Sequence, residues 1–279
     1  MRIRFGRGLL AALTLALAAA AGAAPPAPLK TQVPGYYRHA IGDVEVTALY
    51  DGFVDLDTQL LKGMNATEVQ RLMARMFIAT QKGVQTAVNA YLVHLGDHLV
   101  LIDTGSSTCF GPTVGRVVEN LKAGGYTPEA VDTVLLTHMH PDHQCGLLTA
   151  DGQVAFPNAT VWAAQEDIDH WLSEAVAAAQ PESVRPFYKM ARDAAAPYQA
   201  AGKLRGFKAG EALLEGRITA VPTHGHTPGH TAYRIDSKGQ SLLVWGDIVH
   251  YHAVQFAHPE TSFEYDSDAK QAVATRKAL

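Results

Sequence analysis

Residues 134 to 146, Val-Leu-Leu-Thr-His-Met-His-Pro-Asp-His-Gln-Cys-Gly, limit what this chain can become more than any other stretch. The apolar start reads as a short buried strand, which empties into a polar turn carrying His138, His140, Asp142 and His143. Four metal-binding groups within six residues is far denser than chance placement of 13 histidines over 279 positions would give. His138 and His140 lie two apart, so at an extended strand end they project to one side and can grip one ion. Pro141 stops the strand and fixes the bend. Beyond it, Asp142 and His143 point toward a neighbouring position where a second ion could sit. Imidazoles together with a carboxylate suit zinc, with iron or manganese as competitors.

Residues 1–23 stand apart from the rest. Arg2, Arg4 and Arg7 form a basic start, Leu9 through Ala21 an apolar core, and Ala21-Gly22-Ala23 a small-residue cleavage site. This is the pattern of a secretory signal peptide, and it places the mature chain in the periplasm or outside the cell. Residues 24–35, with four prolines, read as an extended leader, and residues 36–279 as the folded domain. The composition, 47% hydrophobic and 18% charged, supports a sizeable core. A formal charge of −4 without a basic run argues against nucleic acid or, after signal cleavage, a membrane as partner. Small neutral or weakly polar molecules fit better, and a homodimer is allowed. Cys109 and Cys145 read as two small buried thiols, although export would permit a bridge between them.

Taken in order, Val44, Val46, Ala48 and Tyr50 alternate with other residues in a half-buried strand closed by an Asp51-Gly52 turn. Val69, Leu72, Met73 and Met76 predict a helix over 66–78, capped by Thr67, with its methionines and Phe77 in the core or a pocket wall. Residues 91–95 and 98–102 form a hairpin about Gly96-Asp97, ending in Asp103, which could orient a ligand histidine. Val114, Val117, Val118 and Leu121 line a helix that Gly124-Gly125 ends. Residues 153–163 read as two short strands and 165–178 as a helix, while three prolines make 181–201 a mobile, lid-like excursion. A strand over 218–221 runs into His224-Gly225-His226-Thr227-Pro228-Gly229-His230, and a hairpin over 233–245 ends at Gly246-Asp247. Strand-end ligands thus recur after Thr137, after Thr223 and at Asp247, and loops leaving one edge of a layered sheet could bring them together.

His138-Met139-His140-Pro141-Asp142-His143 resembles the HxHxDH signature of the metallo-β-lactamase superfamily. Pro34-Gly35-Tyr36-Tyr37-Arg38, Leu101-Ile102-Asp103-Thr104-Gly105, Phe110-Gly111-Pro112-Thr113, Ala155-Phe156-Pro157-Asn158, Gly225-His226-Thr227-Pro228-Gly229-His230 and Ala253-Val254-Gln255-Phe256 are similar to its methyl parathion hydrolase branch. The resemblance implies an α/β fold, an αββα sandwich, in which His138, His140 and His226 hold a first zinc. Asp142 and His143 would hold a second, and Asp247 would bridge the two. His230 would support the ligands, and Asp142 or Asp247 would carry a proton. A hydroxide shared by two Zn2+ ions would then attack a small apolar ester: a lactone, an aryl ester or an organophosphate triester. Phe110, Trp171 and Phe187 match an aromatic pocket for the leaving group, and His250 stands where the branch has an aliphatic residue.

The family's pattern also has one more histidine on the second metal, forty to fifty residues after the bridging aspartate, whereas Leu279 is 32 residues from Asp247. His250, His252 and His258 are too near Asp247 for that place. The expectation is therefore a domain without its C-terminal strands and last ligand. A β-lactamase or thioester hydrolase of the same fold, or a metal-binding protein without turnover, are the rival expectations.

Overall fold

A strand apolar on both faces can be stable only between two covering layers, and the middle of this chain supplies four of them. The computed structural model describes residues 26–279, and the signal-peptide reading falls on residues outside them. Residues 26–35 carry no regular strand or helix. The strands are β1 (Tyr36–Ile41), β2 (Val44–Leu56), β3 (Leu61–Lys62), β4 (Val84–His94), β5 (Leu99–Ile102), β6 (Thr133–Leu135), β7 (Thr160–Ala164) and β8 (Leu204–Phe207). They continue with β9 (Ala212–Leu213), β10 (Ile218–Pro222), β11 (Thr231–Ser237), β12 (Gln240–Val244) and β13 (Ser262–Phe263). The helices are α1 (Ala66–Arg75), α2 (Val117–Ala123), α3 (Pro141–Gln144), α4 (Gln165–Trp171), α5 (Glu174–Ala179), α6 (Arg185–Ala200), α7 (His252–Gln255) and α8 (Ala269–Ala278).

Seven strands form one sheet in the order β1-β2-β4-β5-β6-β7-β8, antiparallel up to β5 and parallel from β5 to β8. Neighbouring residues of these strands enter opposite cores, because successive side chains point to opposite faces. Leu92, Leu101, Val134 and Val161 pack against Leu121, Trp171, Tyr188 and Tyr198 of α2, α4 and α6. Val93, Val100, Ile102 and Leu135 face the other way, onto Ile218, Ala220, Tyr233 and Ile235 of the second sheet, β12-β11-β10-β9. The mixed α/β sandwich follows: two sheets share a core and helices cover the larger one.

That topology sets where function can sit. Strands β5, β6 and β7 run parallel, and their carboxyl ends release Asp103, Thr137 and α4 at one edge. In the second sheet β10 and β12 both run antiparallel to β11, so they also end together, at Thr223 and Gly246. Five loops therefore meet at a single rim, the usual place for ligands in such sheets.

Several local expectations change. Asp51-Gly52 is no turn: β2 runs through it with a register shift at Tyr50/Gly52, where Gly52 has φ 139° and a Cβ would strike the Thr113 carbonyl. Asn65, not Thr67, caps α1 by accepting from the Glu68 N–H at 2.9 Å. The helix stops at Arg75, so Met73 is buried while Met76 and Phe77 are exposed. Only Thr160–Ala164 of the stretch 153–163 is a strand, and 165–178 divides into α4 and α5. Residues 185–200, expected as a mobile excursion, are the 16-residue helix α6. Its buried Tyr188, Ala191, Ala194, Ala195 and Tyr198 make one apolar face, and Pro186 falls in the first turn, where no N–H partner is needed. Cys109 and Cys145 are joined in a disulfide, which corrects the reading of two free thiols. Both cysteines follow sheet-edge loops, so the fold brings them within bonding reach. Among the described residues no helix is long and apolar enough to cross a membrane.

Candidate metal centre

Three imidazoles from two sheets converge at the rim. His138 and His140 leave the end of β6, and His226 lies in the loop after β10. The Nδ1 of His140 is 3.0 Å from Nε2 of His138 and 2.9 Å from Nε2 of His226. An ion held tetrahedrally at about 2.0–2.1 Å sets its nitrogen ligands roughly 3.3 Å apart. The observed separations are close to that, so the donor set and its spacing fit a zinc-sized cation.

Asp247 stands between this group and a second. Its Oδ2 lies 3.6 Å from His226 Nε2 and 3.9 Å from His138 Nε2. Its Oδ1 lies 3.2 Å from His143 Nε2, which is in turn 3.5 Å from Asp142 Oδ2. One carboxylate oxygen thus faces each group. Among the described residues two groups lie close enough to share a cation: His138, His140, His226 with Asp247, and Asp142, His143 with Asp247.

Behind the ligand atoms, other residues fix each ring. Asp103 accepts from His143 Nδ1 at 2.8 Å and from Thr137 N–H and O–H, both at 2.8 Å. The Thr137 hydroxyl also lies 3.0 Å from His138 Nδ1. His230 bonds the Thr223 hydroxyl through Nδ1 at 2.8 Å and accepts the Asp247 backbone N–H on Nε2 at 2.9 Å. It therefore sets the backbone of the shared aspartate. His226 Nδ1 lies 2.9 Å from Asp266 Oδ1, a carboxylate whose Oδ2 accepts the Phe263 N–H. The sequence reading missed Asp266, three residues before the start of α8. It also missed Asp167, wholly buried in the first turn of α4, which accepts from Met139, Thr227 and Gly229. Nothing in the local sequence separates either from an ordinary helix-start acid.

The two groups differ in charge. Burial holds His138 and His140 well below the ordinary histidine range, and the neighbouring rings push the same way. They are neutral donors, as coordination requires. Burial would lower His143 as well, but Asp247, Asp142 and Asp103 outweigh it and hold it well above that range. Asp247 is buried too, yet His143 and His250 keep it well below the carboxylate range.

The centre floors a cavity of about 810 Å³. Phe110, Phe187, Trp171 and His250 all line it. Phe110 stacks on Phe187 at 6.2 Å, and Trp171 on Tyr188 at 4.4 Å, with the Trp171 edge against His140. Met73, Ile78, Val84 and Val88 extend the apolar wall. His250 stacks on Phe263 at 4.3 Å and brings Nε2 to 3.2 Å from Asp247 Oδ2, the oxygen on the three-histidine side. His258 pairs with Glu260 instead, and His224 is half-buried beside the site.

Comparison with known proteins agrees with this layout. No curated protein sequence matches the chain. Among solved structures, the hydrolase AbOPH of the beta lactamase superfamily is 44% identical, with a TM-score of 0.83, over 88% of this chain and 85% of its own. The dizinc quorum-quenching lactonase AidC, solved with a product, is 25% identical with a TM-score of 0.80, over the same shares of the two chains. A probable metal-dependent hydrolase from Staphylococcus aureus, 21% identical with a TM-score of 0.72 over 86% and 85%, shares the fold. The metallo-beta-lactamase superfamily profile matches residues 83–279, and the chain is therefore a hydrolase of the metallo-β-lactamase superfamily.

Proposed function

We propose that the protein is an exported binuclear-zinc hydrolase of small, largely apolar esters, either lactones and aryl esters or organophosphate triesters. The observation that carries this reading is Asp247, one oxygen toward the three-histidine group and the other toward His143, at the floor of an apolar cavity. His138, His140 and His226 would hold one ion, Asp142 and His143 the other, with Asp247 shared between them. When bound, such ions lower the pKa of water from ~15.7 to about 7 and polarise an ester oxygen. The remaining tasks belong to the chain. Asp142, whose side chain is 26% exposed and faces the cavity, is the carboxylate placed to take a proton from the attacking water and pass it to the leaving oxygen. Phe110 and Phe187, with Trp171 and Tyr188, form two stacked aromatic pairs that suit a flat aryloxide leaving group or the apolar acyl chain of an ester.

AbOPH supports a hydrolase, the lactonase AidC a lactone among the substrates and the pair of zinc ions, and the Cys109–Cys145 disulfide an oxidising compartment outside the cytosol. The test is a comparison of kcat/KM over a lactone, an aryl ester, a phosphotriester and a β-lactam, on protein whose zinc has been counted. Two zinc ions per chain with turnover of one of the first three is the expected result. A preference for the β-lactam, or zinc without any turnover, would reject it.

A further inference from the structure

We propose that Asp167 is a positioning residue for the metal centre, its carboxylate fastening the loop that carries His138 and His140 to the loop that carries His226. The inference rests on reading the histidine cluster as a cation site. His140 and His226 are 86 positions apart and hang from different sheets, so their separation must be set by something that spans both loops. Asp167 does so at three points. Its Oδ2 accepts the Met139 N–H at 3.0 Å and the Thr227 hydroxyl at 2.9 Å, and its Oδ1 accepts the Gly229 N–H at 2.6 Å. Met139 sits between the two ligands of the first loop, Thr227 directly follows the ligand of the second, and Gly229 directly precedes His230.

Other bonds join the two sheets here, from the Thr231 N–H to the Thr137 carbonyl and from the Tyr233 hydroxyl to the Leu136 carbonyl. Those hold the strand ends. The Asp167 carboxylate acts within the loops themselves, one residue from each of the three ligands. Glycine at 229 is what allows it so close: a Cβ there would lie 2.7 Å from the Asp167 backbone nitrogen and 2.8 Å from Ala164 Cβ. Burying a carboxylate is costly unless donors surround it, and hydrogen bonds to an ionised acceptor are the stronger kind. An amide of the same shape cannot accept all three, since one of its ends donates.

The test uses the full chain with Asp167→Asn and, separately, Thr227→Val, which deletes one of the three bonds. Each protein is stripped with a chelator and titrated with zinc against a chromophoric competitor. Cobalt spectra then report the geometry of the three-histidine site. The expected result is a zinc affinity at that site lower by roughly 10–100-fold for Asp167→Asn, the usual effect of losing a residue that orients ligands. Thr227→Val should give a smaller loss in the same direction, with altered cobalt bands in both. Wild-type affinity and spectra in both variants, with only a lower melting temperature, would overturn the proposal. If Asp167→Asn does not fold, Thr227→Val decides alone. A wild-type chain that takes up no zinc would instead overturn the reading of the centre, and this inference with it.

Discussion

The two halves of the centre are built on opposite principles. On one side, His138, His140 and His226 offer three buried nitrogens already spaced for one ion, and burial holds the first two well below the ordinary histidine range. On the other, His143 is ringed by Asp142, Asp247 and Asp103, which hold a proton on it. The first half needs little rearrangement before it binds, whereas the second must expel a proton. Zinc affinity should therefore be unequal, and the carboxylates around His143 would also offset a second dication beside the first.

The largest effect should come from the group common to both halves. Asp247→Ala is expected to bring hydrolysis to background and lower zinc content at both positions, measured by metal analysis alongside an aryl-ester assay. Two zinc ions retained with turnover would mean that the halves do not share it. Single-side variants sharpen the contrast: His140→Ala should abolish hydrolysis with loss of the tighter ion, while His143→Ala should keep that ion and lose the weaker one. Identical metal losses in the two would erase the distinction.

Acid should separate the halves without mutation. A histidine held above its ordinary value keeps its proton as pH rises past about 6.5, so zinc binding that needs its nitrogen strengthens with pH. Lowering the pH from 8 toward 6 at fixed free zinc is expected to remove the ion beside His143 first and leave the three-histidine ion in place. Simultaneous loss would contradict the assignment. The smallest effect is that of Asp103→Asn, which should weaken mainly the His143 side, by roughly 10–100-fold in zinc affinity, with a lesser loss at His138 through Thr137.

The same contrast explains what could be read along the chain. The His138–His143 segment is local, so its residue types and spacing announce a metal site by themselves, and the apolar runs 99–102 and 134–136 announce buried strands. Asp266 and Asp167 reach the centre only through tertiary folding; in sequence each is an acid near the start of a helix. Helix α6 was hidden by its prolines and by alanines that carry a weak apolar signal, although Tyr188, Ala191, Ala195 and Tyr198 keep helical spacing. The disulfide was hidden because two cysteines 36 residues apart say nothing of the distance between their side chains. A single chain thus shows its ligands where they cluster and gives no local sign of Asp167 and Asp266, which reach them only in the fold.

The most direct measurement is a crystal structure of zinc-loaded protein with anomalous scattering recorded at the zinc edge. The account predicts two peaks about 3.5–4 Å apart, one on His138, His140 and His226, the other on Asp142 and His143, with Asp247 between them. A peak that leaves His226 uncoordinated, or both peaks lying away from Asp247, would contradict it.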